Sequence, residues 1–202
     1  MYTPAHFALD DPSQQQALIA DNPFAQLITM DGDGLPHASH LPFLFFSGRL
    51  DGHMAKANPQ WQHFQSNRDV LAIFSGPHGY ISPSWYKNAP NVPTWNYTAL
   101  HVYGRPRLIE DADQKKARQA HLVEVMESGF DVPWRMELPE SYEQGMLAGI
   151  VTFEIEITRM EGKAKLSQNR KPEDLQGAIT GLRATGRAED ERLADVMAAQ
   201  LG

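Results

Sequence analysis

The segment Ile150–Thr158, IVTFEIEIT, decides the fold because apolar and polar side chains alternate along it. A period of two predicts a β-strand with one face in the core and the other in water. The predicted buried face carries Val151, Phe153, Ile155 and Ile157, and the predicted wet face carries Thr152, Glu154, Glu156 and Thr158.

Strand patterns with tight turns fill the first half of the chain. Asp31-Gly32-Asp33-Gly34 is a strong turn signal between two strands, and Ser47-Gly48 turns the chain again. We expect strands over Phe24–Met30, Leu35–Leu41, Arg49–Ala55, Val70–Phe74 and Thr98–Ile109, the last interrupted at Gly104 and Pro106.

Helices lie before, between and after these strands. Asp11 followed by Pro12 predicts a helix start, and Ala112–Ser128 predicts a helix that Gly129 ends. Pro172 opens another helix, and an apolar stripe marks a C-terminal one. The pattern predicts a mainly β (α+β) protein, an antiparallel β-barrel with peripheral helices. We expect one domain over residues 1–183 with a helical C-terminal extension over residues 184–202.

Composition restricts the possible functions. The 202 residues include no cysteine, which excludes disulfides, Cys-ligated zinc and thiol catalysis. No apolar run is long enough to span a bilayer, and the N-terminus lacks a signal-peptide pattern, so we expect no membrane association and a cytoplasmic protein. The net charge of -7 argues against direct DNA binding through a generally basic surface.

The segment Gly76–Tyr97, GPHGYISPSWYKNAPNVPTWNY, concentrates aromatic rings, prolines and small polar groups. Two similar pieces occur in it, Ile81–Tyr86 and Val92–Tyr97, and each joins a proline, a hydroxyl group, a Trp and a Tyr. Flat apolar rings beside hydrogen-bonding groups suit a planar, heteroatom-rich ligand. The alternative is a loop that its own aromatics pack on the core, and the repetition favours the ligand site.

Two further segments are candidates for ligand binding. Asp51–Pro59 ends a strand and opens a helix, and it offers His53, Lys56 and the first amides of that helix, which suits a phosphate group. The alternative is that Lys56 is a solvated surface lysine. Lys163–Lys171 combines four cations with polar amide and hydroxyl groups, and its alternative interpretation is a solvated basic loop.

Other chemistry is not indicated. His37 and His40 are three residues apart, so on a strand they face opposite sides and do not share a metal. There is no HExxH motif, and no GxSxG surrounds Ser82 or Ser84, so we expect neither a metal site nor a hydrolase.

Six ordered motifs together resemble the PaiB family of FMN-binding negative transcriptional regulators. The resemblance covers nearly the whole chain, from the first residue to about Leu182. Its motifs are Met1–Phe7, His40–Phe43, Gly52–Pro59, the paired Trp motifs, His101–Gly104 and Lys165–Arg170.

The resemblance implies a split β-barrel of the pyridoxamine-phosphate-oxidase type and a homodimer with FMN between the subunits. By analogy with that fold, the FMN phosphate is expected at His53–Asn58 and the isoalloxazine ring at Ile81–Tyr97. The cofactor-binding residues expected on this basis are His40, Leu41, Pro42, Phe43, His53, Met54, Ala55, Lys56, Asn58, Ser82, Ser84, Trp85, Tyr86, Thr94, Trp95, Asn96, His101, Lys165, Ser167, Gln168, Asn169 and Arg170.

Three functions follow from the resemblance and stay open on the sequence. The first is a dimeric FMN-binding transcriptional regulator of PaiB type, acting through a small-molecule substrate or effector or through a partner protein. The second is an FMN-dependent oxidoreductase, in which the protein positions a small metabolite and tunes the electrostatics near the ring. The third is a flavin or haem storage module. The sequence assigns no catalytic residue.

Overall fold

Six antiparallel strands form a closed barrel in the order β1-β2-β3-β6-β5-β4 in the computed structural model, which describes residues 1–66 and 68–201. The strands are β1 (Phe24–Met30), β2 (Pro36–Phe46), β3 (Arg49–Ala55), β4 (Val70–Ile81), β5 (Thr94–Ile109) and β6 (Ile150–Lys165). The predicted antiparallel barrel with peripheral helices, of α+β class, is confirmed.

In the part of the chain that the structure describes, five helices accompany the barrel strands: α1 (Pro12–Asp21), α2 (Ala112–Glu127), α3 (Glu140–Ala148), α4 (Pro172–Ala184) and α5 (Ala188–Ala198). Short 3₁₀ segments occur at Ala5–Phe7, Pro59–Ser66, Pro83–Trp85 and Ala199–Leu201. The predicted capping of α1 is confirmed, because the Asp11 carboxylate accepts hydrogen bonds from the amides of Ser13 and Gln14 at 2.8 and 3.1 Å. Helix α3 has no counterpart among the predicted elements.

The chain divides into two compact units. Unit 1 contains Met1–Asn22, Phe74–His101 and the chain from Met160 onward, and unit 2 contains Pro23–Ile73 and Val102–Arg159. Residues 184–201 lie in unit 1, whereas the predicted boundary between residues 183 and 184 stays a prediction. Asn67 belongs to the predicted domain over residues 1–183 and Gly202 to the predicted extension over residues 184–202, and both lie outside the described residues.

Each unit has its own apolar core. In unit 1, helices α4 and α5 pack together and bury Ile179, Leu182, Leu193 and Met197. In unit 2, the ring of Phe153 makes edge contacts with Phe43 and Phe64 at centroid distances of 6.1 and 5.0 Å.

Strands β1 and β3 have the predicted bounds, but β2, β4, β5 and β6 are longer than predicted, and β2 runs on to Phe46. Strand β4 continues through Gly76 and Pro77 to Ile81, and β5 continues without a break through Gly104 and Pro106. An added Cβ at Gly104 would collide with the backbone oxygen of Glu156, so this glycine permits a close approach of neighbouring backbone and does not end the strand.

The predicted wet face of β6 is wrong at two positions, because Thr152 and Glu154 are buried, with 1% and 2% exposure. Glu154 lies among three arginines of unit 2. Arg107 Nε donates to its carboxylate at 3.0 Å, Arg49 Nη1 at 3.2 Å and Arg118 Nη2 at 2.7 Å. Burial raises the pKa of Glu154, but the hydrogen bond from Arg107 and the charges of the three guanidinium groups outweigh it and leave the pKa below its usual range.

No helix within residues 1–66 and 68–201 is long and apolar enough to cross a membrane.

Candidate functional site

The segment Ser82–Asn96, named here the tryptophan segment, joins the end of β4 to the start of β5 in unit 1. Its first turn is the 3₁₀ segment Pro83–Trp85, where the Ser82 hydroxyl accepts a hydrogen bond from the Ser84 amide at 3.2 Å. Proline at the first position and a serine cap favour this turn. The sequence therefore fixes the local shape that carries Trp85.

Trp85 packs against two glycines of helix α4, Gly177 and Gly181. An added Cβ at Gly177 would collide with the Trp85 carbonyl oxygen, and one at Gly181 would collide with the indole ring. Only glycine leaves the space that brings the helix backbone this close to the tryptophan. The signal available in the sequence was a pair of glycines four residues apart in a helical stretch, and sequence reasoning missed it.

Asp174 of α4 fixes the next part of the tryptophan segment. Its buried carboxylate accepts hydrogen bonds from the backbone amides of Lys87 at 2.8 Å and Asn88 at 3.1 Å. Burial raises the pKa of Asp174, but the hydrogen bonds from Asn88 and Lys87 outweigh it and leave a lowered pKa. An ionised Asp174 therefore orders the loop, a role that the sequence analysis did not predict.

The predicted residues Lys165–Arg170, named here the late polar loop, make hydrogen bonds to the tryptophan segment. Lys165 Nζ donates to the Thr94 hydroxyl and to the Trp95 carbonyl oxygen, the latter at 2.8 Å. Arg170 donates to the Asn91 side chain at 2.6 Å. The interpretation as a freely solvated basic loop is therefore wrong for Lys165 and Arg170.

A second link between the same two regions is fully buried. Asn96 Nδ2 donates to the Ser167 hydroxyl at 2.8 Å and approaches the Met197 sulfur at 3.4 Å. Ser167 has a φ of 68°, in the left-handed region that few non-glycine residues adopt. The strained backbone and the buried hydrogen bond occur at one residue, which is typical of a functional position.

Lys165 has a lowered pKa. Burial is the main cause, and the positive charges of Lys163 and Arg170 add to it. Cationic groups are thus concentrated beside the tryptophan segment, where they could meet an anionic ligand group.

An exposed aromatic surface lies on the tryptophan segment and β4. Trp95 is 56% exposed, and its ring lies 6.5 Å from His78 in a stacked arrangement and 6.3 Å from Tyr80 edge-on. The Ser84 hydroxyl and the side chains of Gln168 and Asn169 are exposed in the same unit. A flat apolar surface with polar groups in the same unit fits the chemistry of a flavin ring.

Two predicted residues of unit 1 have buried polar atoms without a hydrogen-bond partner among the described residues: the Tyr86 hydroxyl and Asn96 Oδ1. Tyr86 also packs under the Arg170 guanidinium, which lies 5.1 Å from the ring centroid. His101 is partly buried, and burial lowers its pKa, helped by the charge of the N-terminal amine.

The residues His53–Asn58, named here the lysine corner, lie in unit 2 where β3 ends. The Asn58 side chain accepts a hydrogen bond from the Gln60 amide at 3.0 Å and so caps the 3₁₀ segment Pro59–Ser66, in place of the helix that the sequence predicts. The backbone of Lys56 is held on both sides, by the Gly149 carbonyl at 2.9 Å and the Trp61 indole N–H at 3.1 Å.

The side chains of the lysine corner differ in exposure. Lys56 is exposed and makes no ion pair within the described part of the chain, whereas Met54 is buried in the core of unit 2. Ala55 is exposed. His53 Nδ1 is buried without a partner among the described residues, and burial lowers the pKa of this imidazole.

The predicted strand residues His40–Phe43 also lie in unit 2. His40 is exposed and stacks on Phe24 at 6.0 Å, Leu41 and Pro42 are partly buried, and Phe43 is fully buried. Phe43 pairs with Gly52 across β2 and β3, next to the lysine corner. The side chains of Phe43 and Met54 serve the core, so backbone groups are what these two residues offer a ligand.

No group of three or more His, Asp or Glu side chains in the described residues is arranged to hold a metal ion.

Comparison with solved structures identifies the fold. The fold matches a flavocytochrome, Anf3 of Azotobacter vinelandii, with a TM-score of 0.66 and 18% identity over 84% of this chain and 75% of that one. It also matches the FAD and heme binding protein of Mycobacterium smegmatis, with a TM-score of 0.64 and 15% identity over 84% and 78% of the two chains. The fold is the split barrel of flavin-binding proteins, as the resemblance implied.

Sequence comparison identifies the family. Residues 1–159 match the family described as "Putative FMN-binding domain". The chain is 36% identical over 204 residues to the protease synthase and sporulation protein PAI 2 of Bacillus subtilis, covering 98% of this chain and 96% of that protein. It is 32% identical to the uncharacterized protein AN0679 of Emericella nidulans, again over 98% and 96% of the two chains. The chain belongs to this FMN-binding family, and the predicted PaiB membership and FMN cofactor are confirmed.

Proposed function

We propose that this chain is a cytoplasmic, homodimeric regulator that holds FMN at its subunit interface. The observation that carries the proposed binding site is the network between the late polar loop and the tryptophan segment. It orders an aromatic, polar surface through Lys165, Ser167 and Arg170. A surface ordered before binding loses less conformational entropy when the ligand arrives.

The isoalloxazine ring is assigned to unit 1. Trp85, Tyr86 and Trp95 provide apolar ring surface there, and the other proposed contacts are hydrogen bonds from Ser82, Ser84, Thr94, Asn96, His101 and the late polar loop. Trp95 and Ser84 are the most accessible members of the tryptophan segment on this list. When bound, FMN supplies redox-active ring chemistry, and the chain supplies position and charge.

The phosphate is assigned to the lysine corner of unit 2, with Lys56 as its charge partner. The two backbone hydrogen bonds around Lys56 fix where its side chain begins, and the ammonium group is exposed. A charge-assisted contact to phosphate contributes on the order of 1–3 kcal/mol. His40–Phe43 and His53–Ala55 are proposed to complete this half of the site.

Titration of the purified protein with FMN and with riboflavin tests both assignments. We expect FMN to bind with a shifted flavin absorbance spectrum and quenched flavin fluorescence, and riboflavin to bind more weakly because it lacks the phosphate. A protein that binds neither compound at millimolar concentration would contradict the proposed site. Equal affinity for the two compounds would contradict the assignment of the phosphate to the lysine corner but not the assignment of the ring to unit 1.

Light scattering during size-exclusion chromatography tests the homodimer. We expect a mass of twice the 22.6 kDa chain. A monomer that still binds FMN would refute the interface location while keeping the cofactor.

The regulatory role is proposed by analogy with the protease synthase and sporulation protein PAI 2 of Bacillus subtilis. The net charge of -7 favours control through a small-molecule effector or a partner protein over direct DNA contact. A specific DNA fragment that shifts on a gel, with affinity falling steeply as salt rises, would overturn this preference.

An FMN-dependent oxidoreductase is the second candidate, and the cations Lys165 and Arg170 beside the tryptophan segment favour it. Positive charge there would bind an anionic substrate group or stabilise charge near the flavin. Bleaching of the FMN-loaded protein by NAD(P)H, followed by reoxidation with a defined acceptor, would support this function. Absence of bleaching under anaerobic conditions would argue against a NAD(P)H-dependent reaction.

A further inference from the structure

We propose that an apolar sheet surface of unit 2 is the place where a second copy of this chain docks. The surface, named here the apolar sheet face, is the outer side of the barrel at β1, β2 and the start of β4. It consists of every second residue from 24 to 30 and from 36 to 42, together with Leu71 and Ile73. The inference rests on the homodimer proposed above and names the surface that forms it.

Strand β1 carries apolar side chains on both of its faces. Ala25 and Leu27 point inward and are fully buried. Phe24, Ile28 and Met30 point outward, and Phe24 and Met30 are 64% and 41% exposed. An antiparallel strand with one face in water normally alternates apolar and polar residues, whereas a strand covered on both faces is apolar on both. The composition of β1 therefore indicates that its outer face is covered in the assembled protein.

The neighbouring strands continue the outer face of β1. Residues directly opposite each other in an antiparallel pair lie on the same side of the sheet. The register places Ala38 of β2 beside Ile28 and Pro36 of β2 beside Met30, and it places Leu71 of β4 on the other side of Ile28. The apolar surface is thus continuous across three strands, and a contiguous exposed apolar surface marks an interaction site.

The charge of the apolar sheet face indicates which partner it fits. None of its residues is Asp, Glu, Lys or Arg, although these four types make up 21% of the chain. In a two-fold interface the same patch of each subunit meets its copy, so a charged side chain near the axis would face an identical charge. A nucleic acid or an anionic membrane would instead require Lys or Arg on the face. An uncharged face on a chain of net charge -7 therefore favours a second copy of the same chain.

The apolar sheet face adjoins the proposed phosphate site. His40 and Pro42 belong to both, and the Asn58 side chain of the lysine corner donates a hydrogen bond to the Ser39 hydroxyl of β2 at 2.9 Å. A second copy docked on this face would stand beside the lysine corner. This is the position that a cofactor held at the subunit interface requires.

Phe24→Glu tests the apolar sheet face, because it would bury an unpaired carboxylate between two copies. Phe130→Glu is the matched control, since Phe130 is 63% exposed in the same unit but lies outside the face. Light scattering during size-exclusion chromatography measures the mass over a range of concentrations. We expect wild type and Phe130→Glu to have twice the 22.6 kDa mass of the chain, and Phe24→Glu to have a dimer dissociation constant at least about tenfold higher.

The outcomes separate this surface from the homodimer itself. A Phe24→Glu chain that dimerises as tightly as wild type would overturn the apolar sheet face as the interface and leave the proposed homodimer standing. Equal dissociation of Phe130→Glu and Phe24→Glu would also overturn it. A monomeric wild type would refute both the homodimer and this interface.

Thiol labelling tests the same face without disrupting it. The chain contains no cysteine, so Ala38→Cys introduces a single thiol on the face and Ala120→Cys a single thiol on α2, both at exposed alanines. Each maleimide reaction rate is normalised to that of the same variant unfolded in urea. We expect the folded thiol at position 38 to react at least about tenfold more slowly than the one at position 120 when the protein is dimeric. Equal normalised rates in a dimeric protein would overturn the proposal.

Two further measurements identify other occupants and separate the cofactor. Binding of a monomeric wild type to phosphatidylcholine vesicles, with loss of that binding in Phe24→Glu, would assign the face to a lipid surface and overturn the second copy. FMN titration of each variant is read separately from its mass. A Phe24→Glu chain that becomes monomeric but binds FMN as wild type does would support the interface and refute the location of FMN between the subunits.

Discussion

The tryptophan segment and the lysine corner differ in how their side chains are held. In the tryptophan segment, Thr94 and Asn96 are hydrogen-bonded to the late polar loop, and Trp85 lies against two glycines of α4. In the lysine corner, the backbone is fixed but the Lys56 side chain is exposed. The side chains of the first region are therefore held by contacts within the protein, whereas the second region offers an exposed charge. Mutations in the first should alter stability and flavin binding together, and mutations in the second should alter binding alone.

Gly177→Ala should give the largest effect. Alanine favours a helix by about 1 kcal/mol over glycine, but its Cβ would collide with the Trp85 carbonyl oxygen. We expect a net loss of about 2–3 kcal/mol in the free energy of unfolding and weaker FMN binding. Urea denaturation and flavin titration measure the two effects.

Gly145→Ala in α3 is the control for that substitution, because nothing lies within 4 Å of a Cβ built there. It should stabilise the protein by up to about 1 kcal/mol. If Gly177→Ala behaves in the same way as this control, the close packing of α4 against the tryptophan segment is wrong.

Lys56→Ala tests the lysine corner. It should weaken FMN by about 1–3 kcal/mol with little effect on riboflavin, because only FMN carries the phosphate. The free energy of unfolding should stay within about 0.5 kcal/mol of wild type, as for most exposed positions. Lys115→Ala, at a partly exposed lysine of α2, is the control. A large loss in the free energy of unfolding of Lys56→Ala would contradict the proposed difference between the lysine corner and the tryptophan segment.

Ser167→Ala probes the buried link of the ordered region. The Asn96 amide would keep only the weak sulfur acceptor of Met197, so we expect a loss of about 1 kcal/mol in chemical denaturation. Ser84→Ala, at an exposed hydroxyl of the tryptophan segment, should leave the free energy of unfolding nearly unchanged. Equal effects of the two variants would mean that the Asn96–Ser167 hydrogen bond does not stabilise the segment.

The smallest expected effect is a pH dependence from Lys165. Its folded-state pKa is lowered below the usual value of about 10.4, so between the two pKa values the unfolded chain binds more protons and stability rises with pH. As the pH rises toward the unfolded-state pKa, the wild type should gain slightly in stability relative to Lys165→Met. Thermal melts of both proteins across this range measure the difference, and parallel curves would contradict the shift.

Local signals in the sequence predicted much of the fold. The Asp11 cap, the strand patterns of β1 and β3 and the Asp31–Gly34 turn depend on neighbouring residues, and all appear in the structure. The sequence predicted breaks in β5 at Gly104 and Pro106, and these predictions were wrong. Gly104 is needed because the backbone of Glu156, far away in the sequence, packs closely against it, and this contact is not visible in the neighbouring residues. The alternation in β6 predicted the buried side chains of Phe153 and Ile155 correctly, but it could not show that arginines distant in sequence cover Glu154.

The candidate site shows the same division. The aromatic and polar composition of Ser82–Asn96 and Lys165–Arg170 marked both segments as candidates, because side-chain types can be read directly from a sequence. Their mutual hydrogen bonds were not predictable, since they join residues about 71 positions apart. Asp174 and Gly177 were missed because they support the site through the backbone of another segment.

Ion pairs help to hold helix α2 against the rest of unit 2, together with an edge contact between the His121 and Phe46 rings. No residue of α2 is buried in the described structure, and Arg118 connects the helix to Asp51 and Glu154. The outer surface of this helix is therefore open to redesign, since a dye or an affinity handle placed there would leave the apolar core untouched. Arg118 itself is the position that such engineering must preserve.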